Sequence, residues 1–321
     1  QATDPSLPAL KVTHKRSQDK VLWQTVPGKS FVMGGKGKEN IREVKGSFFI
    51  DDETQDTCKD QTVTSLEVID DTLVIIGDLA CTSGKSIGYM FNLKPHSNNQ
   101  LSFFAELDDT SYNRIYLHYA SEKDESFYGF GEQFTYFDQK GKKLPIFIME
   151  QGVGRGSQPF TFLVDIKASS DERWHKSYAG VPHYMTSKMR SLFLETSEYS
   201  SFDMTEDHQV QIALFSNSIK GRIINGDSPL ALIEEYTTYS GRMRELPDWI
   251  HEGAILGMQG GTEKVMAAYQ TMKDKNGAVA SLWLQDWVGQ RKTSFGKQLW
   301  WNWELENNRY ENWGEMLASL N

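Results

Sequence analysis

The strongest constraint on the fold is a series of short β-type segments between about residue 20 and residue 240. Each segment alternates apolar and polar residues or runs apolar, and Gly, Asp, Asn or Ser separates it from the next. The segments read KSFVMGG, GSFFIDD, VTSLEVIDDTLVIIGDL, IGYMFNLK, QLSFFAELD, RIYLHYAS, FTFLVDIK, RSLFLET, VQIALFS and GRIINGD. Because no long helical period interrupts them, they predict an antiparallel β-sandwich over residues 1–227.

The pattern becomes helical after residue 227. Ser228 is suited to cap a helix, Pro229 takes the first helical position, and the helical spacing ends near Gly241. We interpret residues 228–252 as a linker helix and a turn.

Residues 253–321 begin with a strand, a helix and a second strand. AILGMQGG reads as a short buried strand, TEKVMAAYQTMKDKNGA as a helix with Thr262 at its N-cap, and VASLWLQDW as another buried strand. This unit is typical of parallel α/β barrels and doubly wound sheets, in which ligands bind at the carboxyl ends of strands. Gln259, Gln285 and Asp286 stand at those ends and are the candidate ligand contacts.

Charge and composition exclude several classes of function. The chain has 34 Lys and Arg against 43 Asp and Glu, a net charge of -9, which argues against a nucleic-acid partner. No stretch approaches the roughly 20 apolar residues that a membrane-spanning helix needs. The seven His residues have no metal-ligand spacing and no glycine loop suits a phosphate, so no cofactor is predicted. The oligomeric state stays open.

The two cysteines, Cys58 and Cys81, both lie in the strand-rich first third of the chain. Neighbouring strands would bring them within disulfide distance, and two buried free thiols are the alternative. The compartment stays open as well. A disulfide would favour the extracellular space or the secretory-pathway lumen. The start at Gln, which is expected of a trimmed product, favours the same compartments.

Three separated motifs carry a resemblance to a known family. They are FYGFGEQFTYFDQKGKKLPIFIMEQGVGRG, LGMQGGTEKV and QDWVGQRKTSFGKQLWWNW, in that order. The chain resembles glycoside hydrolase family 31, and within it the sulfoquinovosidase-like branch. The resemblance implies an α+β multi-domain fold, in which an N-terminal antiparallel β-sandwich is followed by the first strands of a (β/α)8 barrel in residues 253–321.

The resemblance also implies a retaining α-glycosidase that acts on a carbohydrate or glycoside substrate. Such an enzyme uses two carboxyl groups, one as nucleophile and one as acid/base. In the family these lie on later barrel strands, and a full barrel takes ~250 residues. About 70 residues follow the linker here. We therefore assign no catalytic residue and expect the chain alone to be inactive, as the N-terminal part of such an enzyme. A non-catalytic carbohydrate-binding or matrix protein derived from it, and a purely structural β-sandwich module, are the alternatives.

The resemblance assigns substrate contacts residue by residue. Gln259 and Gln285 match glutamines near the sugar hydroxyls, Asp286 could accept from a hydroxyl, and Arg291 and Trp301 match positions of the sulfosugar pocket. The alternatives are polar strand caps for the glutamines and an exposed loop charge for Arg291.

One position departs from the sulfoquinovosidase motif. Gln298 stands where the motif has an Arg, and a neutral amide binds a sulfonate far less well than a guanidinium. Lys297 or Arg291 could supply a cation nearby. An uncharged α-glucoside or α-galactoside, or a substrate with a differently placed acidic group, fits the sequence equally well.

The remaining candidates depend on loops and tryptophans. Gln151 and Arg155, in the loop EQGVGRG, are candidate contacts because a sandwich loop closes one side of the pocket in the resembled family; an ordinary surface hairpin is the alternative. Glu132 is interpreted as a structural acceptor. Packing is favoured over ligand contact for Trp283, Trp300 and Trp303.

Overall fold

A computed structural model describes residues 7, 9–14, 17–44, 47–148, 174–175, 177–294 and 296–320. The chain divides into two compact units, Gln1–Gly241 and Arg242–Asn321. The division falls inside the predicted linker, residues 228–252. None of the described helices has the length and apolarity to span a membrane.

The first unit is mostly β-structure and carries one helix after its strands. Helix α1 (Pro229–Ser240) begins where predicted, because the Ser228 hydroxyl accepts a hydrogen bond from the Ala231 amide at 3.2 Å. Gly241 (φ 80°) ends it. The strands are β1 (Lys11–His14), β2 (Ser17–Gln24), β3 (Val32–Val44), β4 (Ser47–Ile69), β5 (Thr72–Cys81), β6 (Ser86–Pro95), β7 (Gln100–Leu107), β8 (Arg114–Ala120), β9 (Phe127–Gly131), β10 (Lys143–Ile146), β11 (Gly180–Thr186), β12 (Arg190–Leu194), β13 (Ser200–Asp203), β14 (Gln209–Leu214) and β15 (Ser218–Asn225).

Thirteen of these strands form one antiparallel sheet, and β1 pairs with β2 separately. The order in the large sheet is β10-β13-β14-β8-β3-β4-β5-β6-β7-β15-β12-β11-β9. The sheet is nearly closed, since a Cβ built on Gly180 of β11 would lie 3.5 Å from the Ile146 side chain of β10. Closure of this kind protects the sheet edges from pairing with other chains.

Alternating side chains place the core on one face of the sheet. On β5 and β6 every second residue is buried, including Ile75, Leu79, Ile87 and Phe91. Phe91 contacts Phe31 edge to face at 5.3 Å between ring centroids. Burying such side chains contributes roughly 1.5–3 kcal/mol each, which makes this core the main source of the unit's stability.

The second unit contains two parallel strands, three helical segments and a hairpin. Its elements are a 3-10 helix (Asp248–His251), β16 (Ala254–Met258), α2 (Thr262–Asp274), β17 (Val279–Leu284), β18 (Gln290–Thr293), β19 (Gly296–Leu299) and α3 (Trp313–Leu320). β16 pairs with β17 in parallel, and β18 with β19 antiparallel. The predicted N-cap at Thr262 is wrong. Gly261 (φ 89°) caps α2, and the Thr262 hydroxyl donates to the Glu311 carbonyl at 2.7 Å instead.

Candidate functional site

The ends of β16 and β17 bring Gln259 and Gln285 together. Met258 and Leu284, the last residues of the two strands, are partners in the parallel register, and the Gln285 amide donates to the Met258 carbonyl at 3.2 Å. The Gln259 Nε2 donates to the Gln285 Oε1 at 2.5 Å. Both side chains are exposed. The pair therefore presents its remaining amide donors and acceptors to solvent, a combination that suits sugar hydroxyls.

Asp286, directly after Gln285, is fully buried. Its Oδ2 accepts from the Gly260 amide at 3.0 Å and from the Arg309 Nε at 2.6 Å, and its Oδ1 accepts from the Tyr310 hydroxyl. Burial, and then the hydrogen bond to Asp286, raise the pKa of Tyr310 above its usual range. Sequence reasoning missed Arg309 and Tyr310, since neither belongs to a recognised motif.

Arg291 and Gln298 lie opposite each other in the β18–β19 hairpin. They are direct register partners, and both side chains are exposed. Lys292 pairs with Lys297 one position along. Because side chains alternate between the faces of a strand, the two lysines project to the face opposite Arg291 and Gln298.

The tryptophans that follow the hairpin are exposed in this unit. Trp301 is 58% exposed, and its ring centroid lies 6.3 Å from that of Trp303, which is 74% exposed. Trp303 also contacts Trp287 at 6.3 Å and has a positive φ of 61°. Trp283 and Trp300, for which the sequence favoured packing as it did for Trp303, are more than half exposed as well.

Two candidates lie outside the described residues, and one lies in the first unit. Gln151 and Arg155 belong to the part of the chain that is not described. Glu132 follows β9; its amide donates to the Ala179 carbonyl at 2.9 Å and its side chain is exposed.

Cys58 and Cys81 are register partners on β4 and β5 and are joined in a disulfide. Asp56 lies within 4.8 Å of both sulfur atoms, a grouping that resembles metal ligands. Its carboxylate, however, accepts hydrogen bonds from Ser83 and Tyr112, at 2.5 and 2.7 Å from their hydroxyls. Because disulfide sulfurs offer no thiolate and the carboxylate already has its donors, this cluster is suited to holding strands together rather than a metal.

Comparison with known proteins identifies the family. Residues 6–203 match the model of the glycosyl hydrolase 31 N-terminal galactose mutarotase-like domain. The chain is 32% identical over 277 residues to a sulfoquinovosidase of Escherichia coli K12, covering 86% of this chain and 40% of that protein. It is 30% identical over 303 residues to a sulfoquinovosidase of Agrobacterium fabrum, covering 94% of this chain and 44% of that protein.

A solved structure is similar over the same extent. A GH31 family sulfoquinovosidase from E. rectale, in complex with an aza-sugar inhibitor, superimposes with a TM-score of 0.81 at 28% identity, covering 95% of this chain and 44% of that one. The chain thus spans less than half the length of the relatives that it matches. It belongs to glycosyl hydrolase family 31, through that family's N-terminal galactose mutarotase-like domain.

Proposed function

We propose that this chain is the N-terminal part of a retaining α-glycoside hydrolase that cleaves the O-glycosidic bond of an α-glucoside, an α-galactoside or a sulfoquinovoside. The observation that carries the proposal is the Gln259–Gln285 pair at the carboxyl ends of two adjacent parallel strands. The proposal is also supported by the sequence identity of 32% and 30% to two sulfoquinovosidases.

The proposal gives each unit a role. In this proposal the nearly closed sheet is the β-sandwich domain, residues 1–227, and residues 228–252 are the linker. β16, α2 and β17 begin a (β/α)8 barrel in residues 253–321. In support, Met258 and Leu284 pack against the cluster around Val265 of α2. Trp283 and Ile255, which alternate with them along the strands, are exposed on the other face. An apolar face opposite the helix suits the filled interior of such a barrel.

Sugar recognition is the chemistry that these residues would supply. An amide side chain donates and accepts, so Gln259 and Gln285 can each bind a hydroxyl while bonded to each other. Hydrogen bonds to a sugar that strengthen in the transition state lower the barrier to glycoside cleavage. The nucleophile and the acid/base would come from the rest of the complete protein.

The β18–β19 hairpin would distinguish charged from neutral substrates. Arg291 is the direct partner of Gln298, so its guanidinium is available to a sulfonate that the amide of Gln298 binds only weakly. Trp301 would add an indole donor and a stacking face.

The test is to express the complete gene product that contains this chain and to follow hydrolysis of α-glucoside, α-galactoside and sulfoquinovoside substrates by proton NMR. We expect the α-anomer to be released first, as retention requires. Gln259→Ala and Gln285→Ala should each raise KM or lower kcat/KM about tenfold, since a lost hydrogen bond in a desolvated site costs about 1–2 kcal/mol.

The matched control is Gln270→Ala, which removes an exposed glutamine of α2 that bonds only Asp274 in the described structure. Initial release of the β-anomer would contradict retention. Sugar binding without any turnover would favour the non-catalytic carbohydrate-binding protein instead.

A further inference from the structure

The buried Asp286 joins the two strand ends that carry the glutamine pair. It directly follows Gln285, and its Oδ2 accepts from the amide of Gly260, which directly follows Gln259. One carboxylate thus connects the residues next to both glutamines. Together with the bond from the Gln285 amide to the Met258 carbonyl, this bond restricts where Gln259 can lie relative to Gln285.

Two side chains from one segment hold the carboxylate itself. Arg309 donates from Nε to Oδ2, and Tyr310 donates its hydroxyl to Oδ1. A hydrogen bond in which the donor or the acceptor is charged is about twice as strong as one between neutral groups. The Asp286 carboxylate is therefore held on both oxygens, with no surface of its own exposed to a ligand.

The segment that supplies these donors is fixed against the core and the turn. The Tyr310 ring is buried with Val265 of α2 and Met316 of α3. The Arg309 carbonyl accepts from the Thr262 amide at 3.3 Å. It lies so close to the turn that a Cβ on Gly261 would approach it to 2.2 Å. The hydrophobic cluster thereby fixes the segment that holds both Asp286 and the turn after β16.

We propose that Asp286, Arg309 and Tyr310 are positioning residues, which hold Gln259 and Gln285 at the spacing that binds sugar hydroxyls, and that Asp286 does not contact the sugar. The inference rests on the proposed function for the role of the glutamine pair. It reassigns Asp286 from a substrate contact to a buried support, because its side chain is fully buried and its two oxygens already accept from three donors.

The positioning role is tested on the 321-residue chain without any sugar. In a sample labelled with nitrogen-15 at glutamine, the Gln259 and Gln285 side-chain amides, assigned with Gln259→Ala and Gln285→Ala, should give an NOE to each other's side chain. Tyr310→Phe keeps the buried ring and removes only the hydroxyl, and Asp286→Asn keeps the shape and removes the charge. We expect both variants to lose this NOE and to shift both amide signals.

The matched control is Asp274→Asn, an exposed carboxylate of the same unit that accepts from Gln270. It should leave the NOE intact. If Tyr310→Phe and Asp286→Asn only lower the melting temperature, while their folded fraction keeps the NOE and the amide shifts of the wild type, Asp286 is a stabilising residue and the proposal is wrong. Because no sugar is present, this result is independent of whether the complete protein hydrolyses a glycoside.

Discussion

Arg291 on β18 and Gln298 on β19 lie directly opposite each other across an antiparallel hairpin. Directly paired residues project to the same face with their Cβ atoms about 5 Å apart, so the guanidinium and the amide can contact one ligand group. Lys292 and Lys297 pair at the next position and face the other way. Of Arg291, Lys292 and Lys297, only Arg291 therefore projects to the same face of the hairpin as Gln298.

The first prediction concerns substrate charge in the complete enzyme. Gln298→Arg should raise the ratio of kcat/KM for a sulfonated over a neutral α-glycoside about tenfold or more, since a charge-assisted hydrogen bond contributes about 1.5–3 kcal/mol. Arg291→Gln should lower the same ratio. Lys292→Gln, on the opposite face, is the control. A ratio unchanged in both Gln298→Arg and Arg291→Gln would exclude the hairpin from sulfonate recognition.

Trp301 gives a second prediction. Its half-exposed indole beside Trp303 offers a stacking face and an N–H donor. Trp301→Ala should weaken sugar binding to the complete enzyme by roughly 1–3 kcal/mol, measured by calorimetry with a substrate analogue. Trp249→Ala, an exposed tryptophan of the 3-10 helix, should change affinity little. Equal losses in the two variants would point to general destabilisation.

The third prediction is that the 321-residue chain alone has no glycosidase activity. The retaining mechanism needs a carboxylate nucleophile and a carboxyl acid/base, and we find no counterparts for them in this sequence. Purified chain mixed with a chromogenic α-glycoside should release product at the rate of the buffer control. Turnover that a specific glycosidase inhibitor abolishes would show that the chain carries its own catalytic pair.

Much of the sheet could be predicted from side-chain alternation, and strands with few apolar residues or with Gly and Pro could not. β5 to β8, β14 and β15 coincide with segments that alternate or run apolar. β13 (SSFD) has one apolar residue, Phe202, and β11 (GVPHYMT) begins with Gly and contains Pro, so neither carries a strand signal. Tertiary pairing decides such strands. The segment FTFLVDIK lies outside the described residues.

The proximity of Gln259 and Gln285 could be predicted from the sequence, because each residue directly follows an apolar strand. Their role in binding a sugar stays a prediction. The environment of Asp286 could not be predicted, because its donors Arg309 and Tyr310 lie 23 and 24 residues further along the chain. Burial of a carboxylate depends on such distant partners, which periodicity and motifs do not reveal.

The disulfide between Cys58 and Cys81 gives the fourth prediction. It links residues 23 apart on neighbouring strands, and a closed loop of this size stabilises a fold by about 3 kcal/mol, mainly by restricting the unfolded chain. Reduction should lower the free energy of unfolding by that amount in urea. The Cys58→Ala, Cys81→Ala variant should start from the lower stability and not respond to reductant. Two titratable thiols in the unreduced, unfolded chain would contradict the bond.

The last prediction depends on how α1 attaches to the sheet. The Tyr236 ring of α1 stacks on His183 of β11, with ring centroids 4.2 Å apart, and Phe193 of β12 contacts both rings. A nitrogen of His183 lies 2.8 Å from the Ser191 hydroxyl. Burial among these groups lowers the pKa of His183 from 6.5 to about 4, because the charged imidazolium loses its hydration there.

Since the native pKa of His183 lies below the unfolded value, its contribution to stability is complete above pH 6.5 and is lost as the pH falls toward 4. Between these values the unfolded chain binds a proton that the native protein does not, so the free energy of unfolding should fall by up to about 3 kcal/mol in all, of which about 2 kcal/mol is lost by pH 5. Urea titrations between pH 8 and 5 avoid most of the carboxylate range. His183→Gln cannot take up the proton and should flatten the pH dependence, whereas the exposed His251→Gln should keep the wild-type slope. Equal slopes in wild type and His183→Gln would mean that another group controls the acid sensitivity and that the α1 contact tolerates a charged imidazole.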